Sequence, residues 1–354
     1  MSVKKVIFLN WSDKPGGIEV LLPLIINRLR KFSFSAFVFR PKSNSQVSVF
    51  TNTHLKPDYA KNNLELYPKL FFFLRKNRDS IFHGFNLGPF ILFIIRLSKT
   101  EKVIYSIHGS IYWKTALQKF VRKIFWQLSV TDKIVFTANS EYSKKAFLEK
   151  AANNLKIRVL YNPFDTNRFC ILNNKKLNSN KLKICYTGRL ANGKNLFKWI
   201  DIAEKILEEN TDFEFNIYGD GPLKPELADY IRHKNLAANI FLRGFRKDIE
   251  NVYRENDLLI FLSEYESFGN VVVESTLCGT PVIASDIPAM KEIFKDYAEF
   301  IVPLDKNLEQ NVLLKIKEFD KLKLSALRAA EDFKVRFSEE KHILELEKIY
   351  NSFE

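Results

Sequence analysis

Short runs of β-branched and aromatic residues recur along the chain, separated by stretches whose apolar positions follow the helical period. In the first half these runs are Val6–Leu9, Ser35–Phe39, Val103–Ile107, Lys133–Thr137 and Arg158–Tyr161. A second set comprises Lys183–Tyr186, Glu214–Tyr218, Ile240–Leu242, Leu258–Leu262, Pro281–Ala284 and Phe300–Val302. Strands that alternate with helices make parallel sheets covered on both faces, so the pattern predicts doubly wound α/β architecture. Between the two sets lies a polar, aperiodic Asn/Lys-rich stretch, Asn173 to Lys183, which reads as a boundary between two domains. No fixed-period repeat is present, which favours two similar folds over a solenoid. Ser338 to Tyr350 predicts a final amphipathic helix, with Ser338 as N-cap and Ile343, Leu344, Leu346, Ile349 and Tyr350 forming a face to bury.

Composition agrees with a folded protein of this kind. The 354 residues are 46% hydrophobic and 27% charged with only 12 Gly and 12 Pro, a globular balance with room for two or three domains. Cys170, Cys185 and Cys278 are odd in number and far apart, with no CxxC spacing, and point to a reducing compartment without disulfides or a zinc site. The apolar run after Lys4 and Lys5 stops at Asn10 with no cleavage-type residues behind it, so it reads as a first strand rather than a signal peptide. The longest apolar stretch, Pro89 to Ile95, falls far short of the roughly 20 residues that a spanning helix needs.

Charge changes the picture through its placement. Residues 1–170 hold 28 Lys and Arg against 10 Asp and Glu, whereas residues 171–354 hold 27 against 31. The first half therefore carries the whole excess, and with it 19 of the 32 phenylalanines. Basic residues beside aromatic ones suit nucleic acid, an anionic membrane surface, or a solvated face over a Phe-rich core. No helix-turn-helix, zinc-finger or RNA-recognition motif accompanies the charge, which argues against nucleic acid.

Five short segments carry candidate chemistry. After the strand Leu258–Leu262, Glu266 lies in a polar loop and Glu274 eight positions on, just over one turn into a helix that starts near Asn270. Both can face the crevice where ligands of open α/β sheets bind. Gly269 allows close backbone approach, and the helix N-terminus at Asn270 and Val271 is suited to a phosphate. Two carboxylates on either side of such a site can accept hydrogen bonds from sugar hydroxyls; solvated glutamates of an ordinary αβ unit are the plainer alternative. Gly188 and Arg189, with Lys194, lie between a strand and a helix, where two cations can neutralise a diphosphate. Gly16 and Gly17 follow the first strand, His108 and Gly109 end the strand Val103–Ile107, and Tyr218 to Pro222 (YGDGP) forms a strand-end turn.

Together these pieces resemble the retaining glycosyltransferases of family 4, of the GT-B fold, over nearly the whole chain. The resemblance rests on Glu266 to Glu274 (ESFGNVVVE), Gly188-Arg189 with Lys194-Asn195, Tyr218 to Pro222, Gly244-Phe245, Gly279 to Ser285 (GTPVIAS), and Gly16-Gly17 with Glu19. It implies two Rossmann-like domains facing across a cleft: 1–165 for the acceptor, 166–335 for the nucleotide-sugar, and 336–354 as a helix returning to the first domain. It implies further that Arg189 and Lys194 bind the diphosphate, Glu274 the ribose, and Glu266 the donor sugar. Backbone amides from Phe268 through Gly269 and Asn270 to Val271 would support sugar and phosphate, and Gly244 to Arg246, around Phe245, would read the base. His108 would lie beside the transferred sugar, with Gly16 and Gly17 in the first-domain loop.

The implied reaction moves a sugar from a UDP- or GDP-linked donor to a hydroxyl of a lipid-linked or polysaccharide glycan, with retention. No Asp-x-Asp triplet occurs in the sequence, so cations are expected in place of a metal, and no cofactor is expected. Negative charge grows on the leaving diphosphate, where Arg189 and Lys194 would act. Front-face attack suits retention better than Glu266 as a covalent nucleophile. The basic first half leads us to expect a cytoplasmic enzyme, peripheral on the membrane's cytoplasmic face. A nucleotide-sugar 2-epimerase and a non-catalytic GT-B or anionic-surface-binding protein are the rival readings; a pyridoxal-phosphate phosphorylase would need a longer chain and a cofactor lysine.

Overall fold

The computed structural model describes residues 3–12, 21–39, 50, 53–60, 62–109, 116–150, 155–172 and 181–353. The chain divides into two compact units, Met1–Pro163 with Glu340–Glu354, and Phe164–Glu339. Most of the expected boundary stretch, residues 173–180, lies outside the described residues.

In the first unit the elements are β1 (Lys5–Asn10), α1 (Leu21–Arg28), β2 (Ser33–Val38), β3 (Asp58–Tyr59), α2 (Asn63–Lys76), β4 (Ile81–Phe85), α3 (Pro89–Leu97), β5 (Val103–Ile107), α4 (Ala116–Ser129), β6 (Ile134–Ala138), α5 (Glu141–Lys150) and β7 (Ile157–Val159). The second unit holds β8 (Leu182–Thr187), α6 (Leu196–Glu209), β9 (Phe213–Tyr218), α7 (Lys224–His233), β10 (Ile240–Gly244), α8 (Ile249–Glu255), β11 (Leu258–Phe261), α9 (Asn270–Leu277), β12 (Val282–Ser285), α10 (Pro288–Ile293), β13 (Ile301–Val302), α11 (Leu308–Lys317) and α12 (Phe319–Arg336). The last helix, α13 (Glu339–Asn351), lies almost wholly within the first unit.

Among the described residues the first unit forms a seven-stranded parallel sheet in the order β3-β2-β1-β4-β5-β6-β7. Strands β1, β4 and β5 are buried along nearly their whole length, as expected of a parallel sheet covered on both faces. Leu66, Leu70 and Leu74 of α2, Ile91, Leu92 and Ile95 of α3 and Trp126 of α4 cover one face. On the other, Leu22 and Ile25 of α1 and Leu346, Ile349 and Tyr350 of α13 pack against Val6, Phe8 and Ile104.

The sequence pattern does not predict β4, because His83 and Gly84 interrupt its apolar run. Tertiary contacts make both acceptable. The His83 ring hydrogen-bonds the Tyr350 hydroxyl through Nδ1 (2.8 Å) and Ser106 Oγ through Nε2 (2.7 Å). A Cβ on Gly84 would stand 2.2 Å from a methyl of Leu87.

The second unit forms a six-stranded parallel sheet, β10-β9-β8-β11-β12-β13. Strand order reverses beside β1 in the first sheet and beside β8 in the second. The crevice at the carboxyl ends of the strands flanking such a reversal is where open α/β sheets bind ligands. In the second unit those ends lead into Gly188 and Arg189 after β8 and into Leu262 to Gly269 after β11.

Candidate active site

The ends of β8, β9 and β10 are knitted together by backbone hydrogen bonds. Gly188 N–H donates to the Tyr218 carbonyl (3.0 Å), Gly219 N–H to the Gly244 carbonyl (2.8 Å), and Leu190 N–H to the Asp220 carbonyl (2.9 Å). Gly219 has φ +140°, and a Cβ there would stand 1.8 Å from the Gly188 carbonyl oxygen. The Tyr186 hydroxyl donates to the Arg189 carbonyl (3.1 Å), fixing the turn from beneath. The result is a close-packed set of peptide groups with the exposed Arg189 beside it. Arg189 is exposed and has no ion pair among the described residues.

The two loops beside these peptide groups are laced to each other. Asn195, left-handed at φ +53°, donates through Nδ2 to the Leu262 carbonyl (2.9 Å), and Glu264 N–H donates to the Gly193 carbonyl (2.9 Å). Lys194 reaches from one loop to pair with Glu266 on the other, both side chains mostly buried, with the ammonium 5.6 Å from the centre of the Phe261 ring. The two cations expected to act alike are therefore different: Lys194 is held by a carboxylate, whereas Arg189 has no such partner among the described residues.

Gly269 caps α9 with φ +110°, and a Cβ there would lie 2.4 Å from the end of Met290. The first amides of a helix have no partner within it, so Asn270 and Val271 open the helix on its anion-attracting end. The Phe268 ring is turned into the core, stacked on Phe164 (6.2 Å) and edge-on to Phe337 (5.5 Å), so only its backbone belongs to the loop. One turn into the helix, the Glu274 carboxylate accepts from the Tyr253 hydroxyl (2.8 Å), itself 3.2 Å from Thr187 Oγ1 at the end of β8. Burial raises Glu274 above the ordinary carboxylate range, while the Tyr253 hydrogen bond and the charge of Arg168 pull it back. Tyr253 is pushed well up, by burial first and then by the Glu274 charge.

At the end of β10, Gly244 has φ +74° and Phe245 is 72% exposed. Arg246 is occupied by Asp248 and Glu255, and its guanidinium holds Asp248 below the usual carboxylate range. With the Arg246 side chain engaged, this turn offers its backbone and the exposed Phe245 ring.

In the first unit, His108 follows β5 and its backbone N–H donates to Asn86 Oδ1 (2.8 Å). Asn86 follows β4 in a left-handed conformation (φ +47°), and its carbonyl accepts from the Trp11 indole (3.1 Å). Burial, and then the neighbouring His342, lower His108 to about 3, so its imidazole is neutral at pH 7. Gly16 and Gly17, expected in the first-domain loop, lie outside the described residues. Among the described residues no group of three or more His, Cys, Asp or Glu is placed to hold a metal ion.

Sequence reading thus misses Tyr253, Thr187 and Asn86. Tyr253 is an inward position of a short helix with nothing local to tie it to Glu274. Asn86 carries a faint signal, an Asn at a strand end and followed two residues on by Gly, the composition of a turn that tolerates positive φ.

Two family models divide the chain between them: Glycosyltransferase Family 4 matches residues 15–168 and Glycosyl transferases group 1 matches residues 169–324. The O-antigen biosynthesis glycosyltransferase WclY of Escherichia coli is 26% identical over 307 residues, 82% of each chain. The UDP-Gal:alpha-D-GlcNAc-diphosphoundecaprenol alpha-1,3-galactosyltransferase of Escherichia coli is 27% identical over 255 residues. That match covers 67% of this chain and 65% of the relative, a little under two thirds of its length. Among solved structures, Anabaena Alr3699/HepE in complex with UDP-glucose superposes with a TM-score of 0.81 at 21% identity, covering 99% of this chain and 100% of that one, a likeness of fold. With two parallel Rossmann-like sheets and matched models along most of its length, the chain belongs to the group 1 glycosyltransferases of the GT-B fold.

Proposed function

We propose that the protein transfers a hexose from a nucleoside diphosphate sugar to a hydroxyl of a lipid-linked or polysaccharide glycan during surface polysaccharide synthesis, with retention and without a resident metal. The observation that carries this reading is the arrangement at the ends of β8 and β11: an exposed Arg189 beside a closely packed peptide turn, a Lys194–Glu266 pair, and Glu274 held by Tyr253. The relatives' names, with their UDP-galactose donor, diphosphoundecaprenol acceptor and O-antigen context, support the same reading.

In this scheme the diphosphate lies against the amides of α9 and the Arg189 guanidinium, and Glu274 accepts the ribose hydroxyls. As the bond from C1 to the β-phosphate oxygen breaks, its electron pair moves to the phosphate, and Arg189 stabilises the charge where it develops. The acceptor hydroxyl attacks C1 from the face that the phosphate leaves, and its proton passes to the departing phosphate oxygen. Glu266, its charge already engaged by Lys194, acts as an acceptor for sugar hydroxyls and is a poor attacking group. Lys194 gains a second anion when the diphosphate binds, so its ammonium is shared between the Glu266 carboxylate and a phosphate. The base is left to the backbone around Phe245.

Calorimetric titration with UDP, GDP and ADP, with and without chelator, tests the donor class and the metal independence. One nucleotide is expected to bind unchanged by the chelator. Arg189→Ala is expected to lower turnover by about 10²–10³-fold, the cost of losing one charge-stabilising group. Absence of binding for every nucleotide would overturn the transferase reading, and full turnover by the variant would overturn the leaving-group assignment.

A further inference from the structure

Three neighbouring helices of the first unit present an apolar stripe to solvent. Of the ten large hydrophobic residues that are exposed among the described residues of this unit, eight lie on α2, α3 and α4. Leu64 and Phe72 of α2 are 89% and 69% exposed, Phe90 and Leu97 of α3 38% and 50%, and Phe120, Ile124 and Leu128 of α4 64%, 39% and 47%.

Their spacing gives the stripe a direction. Leu64 stands two residues from buried Leu66, Phe72 two from Leu70, Phe90 two from Leu92, Leu97 two from Ile95, and Ile124 and Leu128 each two from Trp126. Two residues are about 200° around an α-helix, so each exposed side chain points away from the one that packs on the sheet. Since α3 packs against both α2 and α4, the three stripes lie side by side on the outer face of one layer. The layer is pre-formed: Phe125 packs on Phe90 (4.3 Å) and Phe93 (5.2 Å), and the Arg96 guanidinium donates to the Leu128 carbonyl at the end of α4.

Charge says what covers it. The segment 62–129 carries 11 Lys and Arg against 3 Asp and Glu, and Arg75, Lys76, Arg78 and Lys99 are exposed around the ends of α2 and α3. Apolar side chains that project from a basic rim match an interface whose surface is anionic and whose next layer is hydrocarbon. A nucleic-acid duplex would meet the charge but leave the projecting rings unburied, and a second copy would bring a like-charged face against this one. We propose that the outer face of α2, α3 and α4 docks on an anionic phospholipid surface, with the apolar stripe entering the headgroup region and the rim cations on lipid phosphates. The proposal rests on the lipid-linked acceptor reading for its purpose, while its geometry is independent of the nucleotide site.

Co-sedimentation of the full chain with phosphatidylglycerol/phosphatidylcholine vesicles, and with phosphatidylcholine alone, tests it. Two variants are compared, Phe72→Ser/Phe120→Ser/Leu128→Ser and Arg75→Gln/Lys76→Gln/Arg78→Gln. All six positions are exposed, and unfolding midpoints and UDP affinity report on integrity. Anionic vesicles are expected to retain the wild type, less so as salt shortens the Debye length from about 10 Å to about 3 Å between 0.1 and 1 M. Each variant is expected to bind them at least about tenfold more weakly with UDP affinity unchanged, the charge variant with a shallower salt dependence. Equal vesicle binding by wild type and triple-Ser variant would overturn the proposal, as would equal binding to neutral vesicles. Tighter retention on duplex DNA than on vesicles would overturn it too, and so would a dimer that the Ser substitutions dissolve. Loss of UDP binding alone would count against the donor site and leave the membrane face standing.

Discussion

Glu274 is held by a hydroxyl 21 positions earlier in the chain, and that contact sets what the carboxylate can do. Burial already raises its proton affinity, and Tyr253 is the neutral donor that offsets part of this. Replacing Tyr253 by Phe removes the donor and leaves the carboxylate in place. Nucleotide affinity measured by calorimetry is expected to fall about 3–10-fold, more steeply as pH is lowered, with about 1 kcal/mol lost from stability. Unchanged affinity across pH would show that Glu274 does not meet the ribose. At this scale the sequence was informative about residue types and silent about pairing. Arg189 and Lys194 look equivalent along the chain, yet Lys194 is bound to Glu266 and Arg189 has no ion pair among the described residues. That difference arises because the loops after β8 and β11 are brought together by the sheet.

Elements supply the backbone precision that such residues need. The ends of β8, β9 and β10 approach so closely that any side chain at Gly219 would collide with the Gly188 carbonyl, a rigid group on a neighbouring strand end. Gly219→Ala is expected to cost about 3 kcal/mol or more, seen as a lower denaturant midpoint or failure to fold, because both the positive φ and the contact must be relieved. A midpoint within error of wild type would contradict the closeness of these strand ends. The YGDGP segment read on its own as an ordinary tight turn, since glycine is common in turns for local reasons. Its tertiary reason, clearance for another backbone, is invisible in a linear pattern. The same limit hid β4: a histidine and a glycine break an apolar run, and only Tyr350, Ser106 and Leu87 from elsewhere make IFHGF a central strand. The long, regularly patterned elements were legible because burial on both sheet faces imposes continuous β-branched and aromatic runs.

For the whole molecule, three histidines of the first unit couple its stability to pH. His83 is lowered well below its ordinary value, first by burial and then by His108 and His342. His108 is lowered to about 3 and His342 to about 4, burial being the first cause in each. His342 Nδ1–H donates to the Tyr161 carbonyl (2.7 Å), and His83 meets Tyr350, so two of the three hold α13 on the unit. The unfolded chain takes up protons near pH 6.5, whereas the folded unit does not until pH falls toward 4 and below. Folding is therefore weakened as pH drops below about 6.5, by up to roughly 1.4 kcal/mol per pH unit for each histidine. Denaturant midpoints between pH 7 and 5 are expected to decline, and less steeply in His83→Gln. A slope identical in wild type and variant would remove His83 from the account. No helix of the described residues is long and apolar enough to cross a membrane.

The sequence by itself determined the alternation of strands and helices, the parallel class of both sheets and the charge imbalance. These follow from local periodicity and composition, which a linear chain displays directly. Only the tertiary structure decided that Lys194 is paired with Glu266, that Tyr253 fixes Glu274, that Phe268 faces the core, and that the surplus apolar residues of α2, α3 and α4 share one outer face. Each of these depends on which distant groups exclude water from a site or meet within hydrogen-bond distance, and that is set by the packing of elements far apart in the chain.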